Sequence, residues 1–119
     1  MKVRGLSGGM LDLWVAKALG DRLARIVGAE EHERCETRFG EVWAWNRFMP
    51  SRAWMDGGPI IERERIAIEV ATESVWMAEK WIGEEGARED KFVSVTGATP
   101  LIAAMRCYVE SKFGEEVPD

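Results

Sequence analysis

The chain has 119 residues, enough for one domain with a proper core and too few for two of ordinary size. Apolar residues make up 46% and charged residues 31%, with a formal charge of −5, which suits a globular chain and excludes an intrinsically disordered one. No apolar run approaches the ~20 residues of a membrane-crossing helix, and the opening "MKVRGLSGGM" lacks the apolar segment of a secretion signal, so no membrane contact and a cytoplasmic location are expected.

Ser7 to Gly20 reads as the first helix. Ser7 suits the N-cap, Leu6 and Leu11 stand at staple positions, and Leu11, Trp14, Val15, Ala18 and Leu19 share one side. Gly20 is a natural stop. Residues 21–27 fit a short helical turn or a strand, and the helical turn is the expectation. Residues 34–47 read as a β-hairpin turning at Gly40-Glu41, because glycine at the first loop position favours a type II′ turn. Alternation then sets Cys35, Thr37, Phe39, Val42 and Ala44 on a core face, with Glu36, Arg38, Trp43 and Trp45 on the other.

In "WMDGGPIIERERI", residues 54–66, glycine pairs with proline in a way that reads as a tight turn docking Trp54 and Ile60/Ile61 into the core. Ile66, Ile68 and Val70 alternate as a strand, Val75 to Trp81 forms another, and Phe92 to Thr96 returns across the charged loop "GEEGARED". The last helix is capped by Thr99, carries Pro100 at its first position and closes at Gly114. Its apolar arc holds Leu101, Ile102, Met105, Tyr108, Val109 and Phe113, and the acidic tail 115–119 is expected to fray. The expected fold is therefore a single α+β domain over residues 1–119. It has a small antiparallel sheet of two hairpins, with an N-terminal and a C-terminal helix packed on one face.

Few residues point to chemistry. Cys35 and Cys107 stand far apart and outside any zinc spacing, and His32 lacks ligand partners, so neither a metal nor a cofactor is expected. They read as two reduced thiols packed as small apolar groups. His32 and Cys35 could form a dyad only if the segment bends, since in an extended run they point to opposite faces. The Gly57-Gly58-Pro59 segment is no phosphate cradle, because Pro59 removes a donor and Asp56 repels an anion. Glu62 to Arg65 alternate in sign and read as a solvated face of weak ion pairs. Arg106 could anchor an anion, although pairing with an acid is the commoner role. Trp43 and Trp45, with Arg34, Arg38 and Arg47 nearby, form either a stacking platform with cationic support or a core face covered by the helices.

Charge weighs on the choice of partner. Residues 1–60 carry nine Lys/Arg against eight Asp/Glu, and residues 61–119 carry seven against thirteen. The acidic half disfavours nucleic acid, and any such contact would fall on the first half.

Three blocks carry a family resemblance: "LSGGMLDLWVAKALG", "PSRAWMDGGPIIERERI" and "GATPLIAAMRCYVESKFGEEVP". Together they resemble the phage NinX-type family of small phage and prophage proteins. They cover about half of the chain in order, with Arg52-Ala53 in place of a more polar pair before Trp54. The resemblance implies a phage accessory protein in the cytoplasm of a bacterial host and brings no catalytic residues with it. The reading that follows is a non-enzymatic binder of a host or phage protein, with homo-oligomerisation left open. Its candidate surface joins Trp43 and Trp45 to the Trp54–Ile61 segment. The alternative is a small-ligand or nucleotide-binding domain, or a weak enzyme. Its pocket would lie near Asp56, Gly57, Gly58, Arg63, Arg65 and Arg106.

Overall fold

The structure, a computed structural model, describes residues 1–29, 33–38, 45–83 and 91–118. Among these residues the order after a short 3-10 turn (Val3–Gly5) begins with α1 (Gly8–Ala18), β1 (Arg25–Val27), β2 (Arg34–Thr37) and β3 (Asn46–Phe48). It continues with α2 (Trp54–Glu64), β4 (Ala67–Thr72), β5 (Val75–Trp81), β6 (Phe92–Gly97) and α3 (Pro100–Phe113). The protein is α+β, but its strands form two three-stranded antiparallel sheets, β1-β2-β3 and β4-β5-β6, where one sheet of two hairpins was expected. The cause is local: α2 separates the two strand groups in sequence, and each group pairs only within itself.

Helix α1 contacts β1 and β2 on one side and α3 on the other, and α3 contacts all three strands of the second sheet. Val3, Leu11, Val15, Cys35, Phe48, Val95, Met105 and Val109 are buried together in the resulting core. Helix α3 is buried on nearly every side: Ala103, Ala104, Cys107 and Glu110 are as inaccessible as its apolar arc. Small side chains there allow close approach, and a Cβ on Gly97 of β6 would lie 2.6 Å from the Ala103 nitrogen.

Local signals account for most element ends. Gly20, at φ +98°, closes α1 by donating to Lys17 O, while Asp21 N–H reaches back to Ala16 O, the paired bonds of a Schellman motif. Thr99 caps α3 by accepting the Ile102 N–H at 3.1 Å. Ser7 stands at the N-cap of α1 without a side-chain bond.

Four expectations are corrected. Residues 25–27 form strand β1 in place of a helical turn, because pairing with β2 outweighs weak local preference. The register sets Thr37 opposite Asn46, whereas a two-residue turn at Gly40-Glu41 would have set it opposite Ala44. That turn, with Phe39, Val42, Trp43 and Ala44, and also His32 lie outside the described residues. The Gly-Gly-Pro segment is not a turn; it lies inside α2, with Ile60 buried but Trp54 exposed. The tail is tied down: Met1 N donates to Val117 O at 2.7 Å, Val117 N–H to Met1 O, and Val3 N–H to Glu115 O.

Candidate functional site

The element that sets the site is α2, and what sets α2 is a buried acid. Asp12 of α1 is fully inaccessible; it accepts the Ser51 N–H at 2.8 Å on one oxygen and Arg52 Nη2 at 3.3 Å on the other. Burial raises its carboxyl above the usual range, and the Ser51 and Arg52 interactions pull it back. Asp12 thus fixes the Pro50–Arg52 turn that launches α2. One turn later, Asp56 accepts the Met49 N–H at 2.9 Å, closing the same loop from the other side. Sequence reasoning missed Asp12. The available signal was an acid one turn ahead of Val15 and two ahead of Leu19, on the apolar side of a helix.

Gly57 is buried at the contact of α2 with Pro50 and Leu101. An added Cβ would press on the Pro50 carbonyl oxygen and stand 2.7 Å from Leu101 Cδ2. Gly58 faces open space. Pro59 sits inside the helix, where it can donate no hydrogen bond to Met55 O, a carbonyl on the exposed side. Held this way, α2 presents Trp54 (57% exposed) and Met55 (84% exposed) side by side at its start. Beside it lies an open cleft of about 280 Å³ lined by Leu19, Phe48, Asp56, Ile60 and Arg63.

At the far end of α2 the chain leaves through Arg65 in the left-handed conformation, φ 54°. Lys80 Nζ donates to Glu64 O at 3.2 Å and lies 3.8 Å from the Glu64 carboxylate, holding the helix terminus against β5. Arg63, itself exposed, pairs with the mostly buried Glu64 at 3.0 Å, so the run is only partly the solvated face expected of it. A second cleft of about 390 Å³ opens here, lined by Arg63, Glu64, Arg65, Lys80 and Trp81. It brings Arg63 and Arg65 together and includes neither glycine nor Arg106.

Arg106 has a different task. Its Nε donates to Leu6 O at 2.8 Å and its Nη1 to Thr96 O at 3.0 Å, so it joins two backbone carbonyls where an acid had been expected as its partner. Arg4 acts in parallel, donating from Nη2 to Ser94 O at 3.2 Å and pairing through Nε with Glu110 at 3.1 Å. Together they satisfy carbonyls along the β6 edge.

The third feature is the first sheet. Cys35, Thr37 and Phe48 face α1 and are buried. Arg25, Glu36 and Arg47 stand in one cross-strand row on the opposite side, with Arg25 Nη2 2.9 Å from Glu36. Trp45 is half-buried there under guanidinium groups: the Arg25 Cζ is 3.8 Å and the Arg38 Cζ 5.3 Å from its ring centre. Its expected face-mate Trp43 is outside the described residues.

Neither cysteine has the character of a nucleophile. Both thiols are buried and pushed up to about 12, chiefly by desolvation with carboxylates adding to it, and Cys107 donates to Val93 O at 3.5 Å. Among the described residues no group of three His, Cys, Asp or Glu side chains is arranged to hold a metal, and no helix is long and apolar enough to cross a membrane.

Among known families, the one described as "Bacteriophage P22, NinX" matches residues 2–112 of the chain. None of the curated proteins matches the chain.

Proposed function

The chain belongs to this phage family, and on that premise we propose that it is a phage-encoded accessory protein that works by binding a host or phage protein, without catalysis. The observation that carries this reading is the start of α2, where Trp54 and Met55 are displayed to solvent on a backbone fixed by Asp12, Asp56 and Gly57. A tryptophan beside a methionine on a rigid element has the composition of an interface hot spot, and rigidity lowers the entropy lost on docking. The adjoining cleft beside Ile60 gives a partner side chain somewhere to enter.

The test is affinity capture from phage-infected cells with wild type and with Trp54→Ser plus Met55→Ser. A specific partner should be retained by the wild type and lost by the double variant, while the unfolding midpoint stays the same. Capture that survives both substitutions would refute this surface.

A second reading rests on the cleft at the end of α2, where Arg63, Arg65 and Lys80 face one acid, Glu64, beside the exposed ring of Trp81. That arrangement suits a small aromatic anion, and a melting shift with nucleotides that is lost in Arg65→Glu would favour it over protein capture.

A further inference from the structure

We propose that the outer face of the β1-β2-β3 sheet is a binding surface for single-stranded nucleic acid. This does not rest on the protein-binding reading of α2. The residues come from a simple alternation: with Cys35 and Phe48 turned toward α1, the neighbours Arg25, Arg34, Glu36, Arg38 and Arg47 fall on the other side. Among these described residues that is four arginines to one glutamate, with the Asp21 carboxylate accepting the Arg38 N–H at 3.3 Å, within a chain whose formal charge is −5. Among the described residues no helix or strand packs over this side.

The cations differ in how far they are committed. Arg25 is held by Glu36 and stacked on Trp45. Arg34 approaches Glu36 only at 3.9 Å, and its Nε is buried without a hydrogen-bond partner among the described residues. Arg47 is exposed and has no ion pair among the described residues. Among the described residues Glu36 is thus shared by Arg25 and Arg34 while Arg47 is left to solvent, which fits an anionic ligand. Phosphates supply such anions, and the acidic remainder of the surface disfavours a backbone lying anywhere else.

Trp45 narrows the class of ligand. An indole with guanidinium groups 3.8 and 5.3 Å from its ring centre combines aromatic and cationic surface, the pairing on which unpaired bases stack. Bases in a duplex are already stacked and cannot do so. The patch is also small. Three short strands give a face about 10 Å on each side, the reach of about two or three nucleotides, too little to track a double helix.

The test uses the full chain and the anisotropy of labelled 12-nucleotide oligo-dT and oligo-U, with a duplex of equal length and polyglutamate as comparators, at 50 and 200 mM salt. Single strands should bind, with a slope of log K against log salt of about −2, the value for about three phosphates neutralised. Arg47→Glu should lower affinity at least tenfold and flatten the slope. Trp45→Ala should weaken binding several-fold with the slope unchanged, and Trp45→Phe should restore most of it. Thermal melts of each variant verify the fold, and Arg47→Glu decides the question if Trp45→Ala fails to fold. A preference between dT and U identifies the natural strand and supports the proposal either way. No binding at 50 mM salt, equal binding of duplex or polyglutamate, or binding indifferent to Arg47→Glu would overturn it.

Discussion

Replacing Gly57 by alanine sets two well-measured tendencies against each other. Helix propensity alone favours alanine over glycine by about 1 kcal/mol in a helix interior, and Gly57 lies inside the 11-residue α2. Packing argues the other way. The new methyl would stand 2.7 Å from Leu101 Cδ2 and nearer still to the Pro50 carbonyl oxygen. Leu101 is only 4% exposed and has little room to rotate. The Pro50 carbonyl cannot retreat either, because the turn carrying it is fastened by Ser51 N–H on Asp12 at 2.8 Å and Ala53 N–H on Met49 O at 2.7 Å. The helix must therefore lift from α3, and overpacking of this kind costs about 1–3 kcal/mol. Because neither neighbour can yield, the upper part of that range, about 2–3 kcal/mol, applies, and against the propensity gain a net loss of about 1–2 kcal/mol remains.

Gly58→Ala is the internal control. Nothing lies within 4 Å of its added Cβ, so the propensity gain is opposed only by crowding from the ring of Pro59, and the change should fall between neutral and about +1 kcal/mol. Urea unfolding of the three proteins, analysed with a common m-value, measures both differences. A Gly57→Ala protein as stable as wild type would refute the account of how α2 is seated, and with it the rigidity invoked for Trp54 and Met55.

Other outcomes follow from the same contacts. Asp12→Ala should destabilise by about 2–3 kcal/mol, since it strands the buried Ser51 N–H, whereas Asp12→Asn, which keeps an acceptor, should lose less. Asp12 binds its proton more tightly folded than unfolded, so its contribution to stability falls as pH rises from the ordinary carboxylate value of 3.8 through its raised folded value. Asp12→Asn should remove that component from a pH series of denaturation midpoints. Thr99→Ala, which deletes the α3 cap bond, should cost about 1 kcal/mol, read in the same assay. Neither Cys35 nor Cys107 should react with a thiol reagent at pH 8 until denaturant is added, given burial and thiols raised to about 12. Labelling in the native state would contradict their placement.

The parts of the fold legible in the sequence are those written in local chemistry. The cap of α3 and the glycine stop of α1 each rest on interactions within a few residues, and the strand runs over 75–81 and 92–96 are legible from their β-forming residues. The opening helix and the central and C-terminal strings also carried the family resemblance that the match over residues 2–112 supports. What could not be read was decided at long range. Residues 25–27 become a strand only because β2 lies beside them. The Gly-Gly-Pro segment has the local signature of a turn, and it is helical because seating against Pro50 and Leu101 demands a residue without Cβ. Tertiary contact there overrides the helix-breaking tendency of glycine and proline.

The same division explains why arginines misled at the level of single residues and informed as a set. Nothing near Arg106 in sequence says that its partners are the carbonyls of Leu6 and Thr96, one of them a hundred residues away. A guanidinium has five donors and needs no acid to satisfy it; a strand edge with open carbonyls serves equally well. The outer row of the first sheet differs in kind. Among the described residues Glu36 is shared by Arg25 and Arg34, and the row faces away from α1. An arginine that ends on backbone carbonyls at the β6 edge is spent on structure, whereas Arg47, exposed and without an ion pair among the described residues, is left for a ligand.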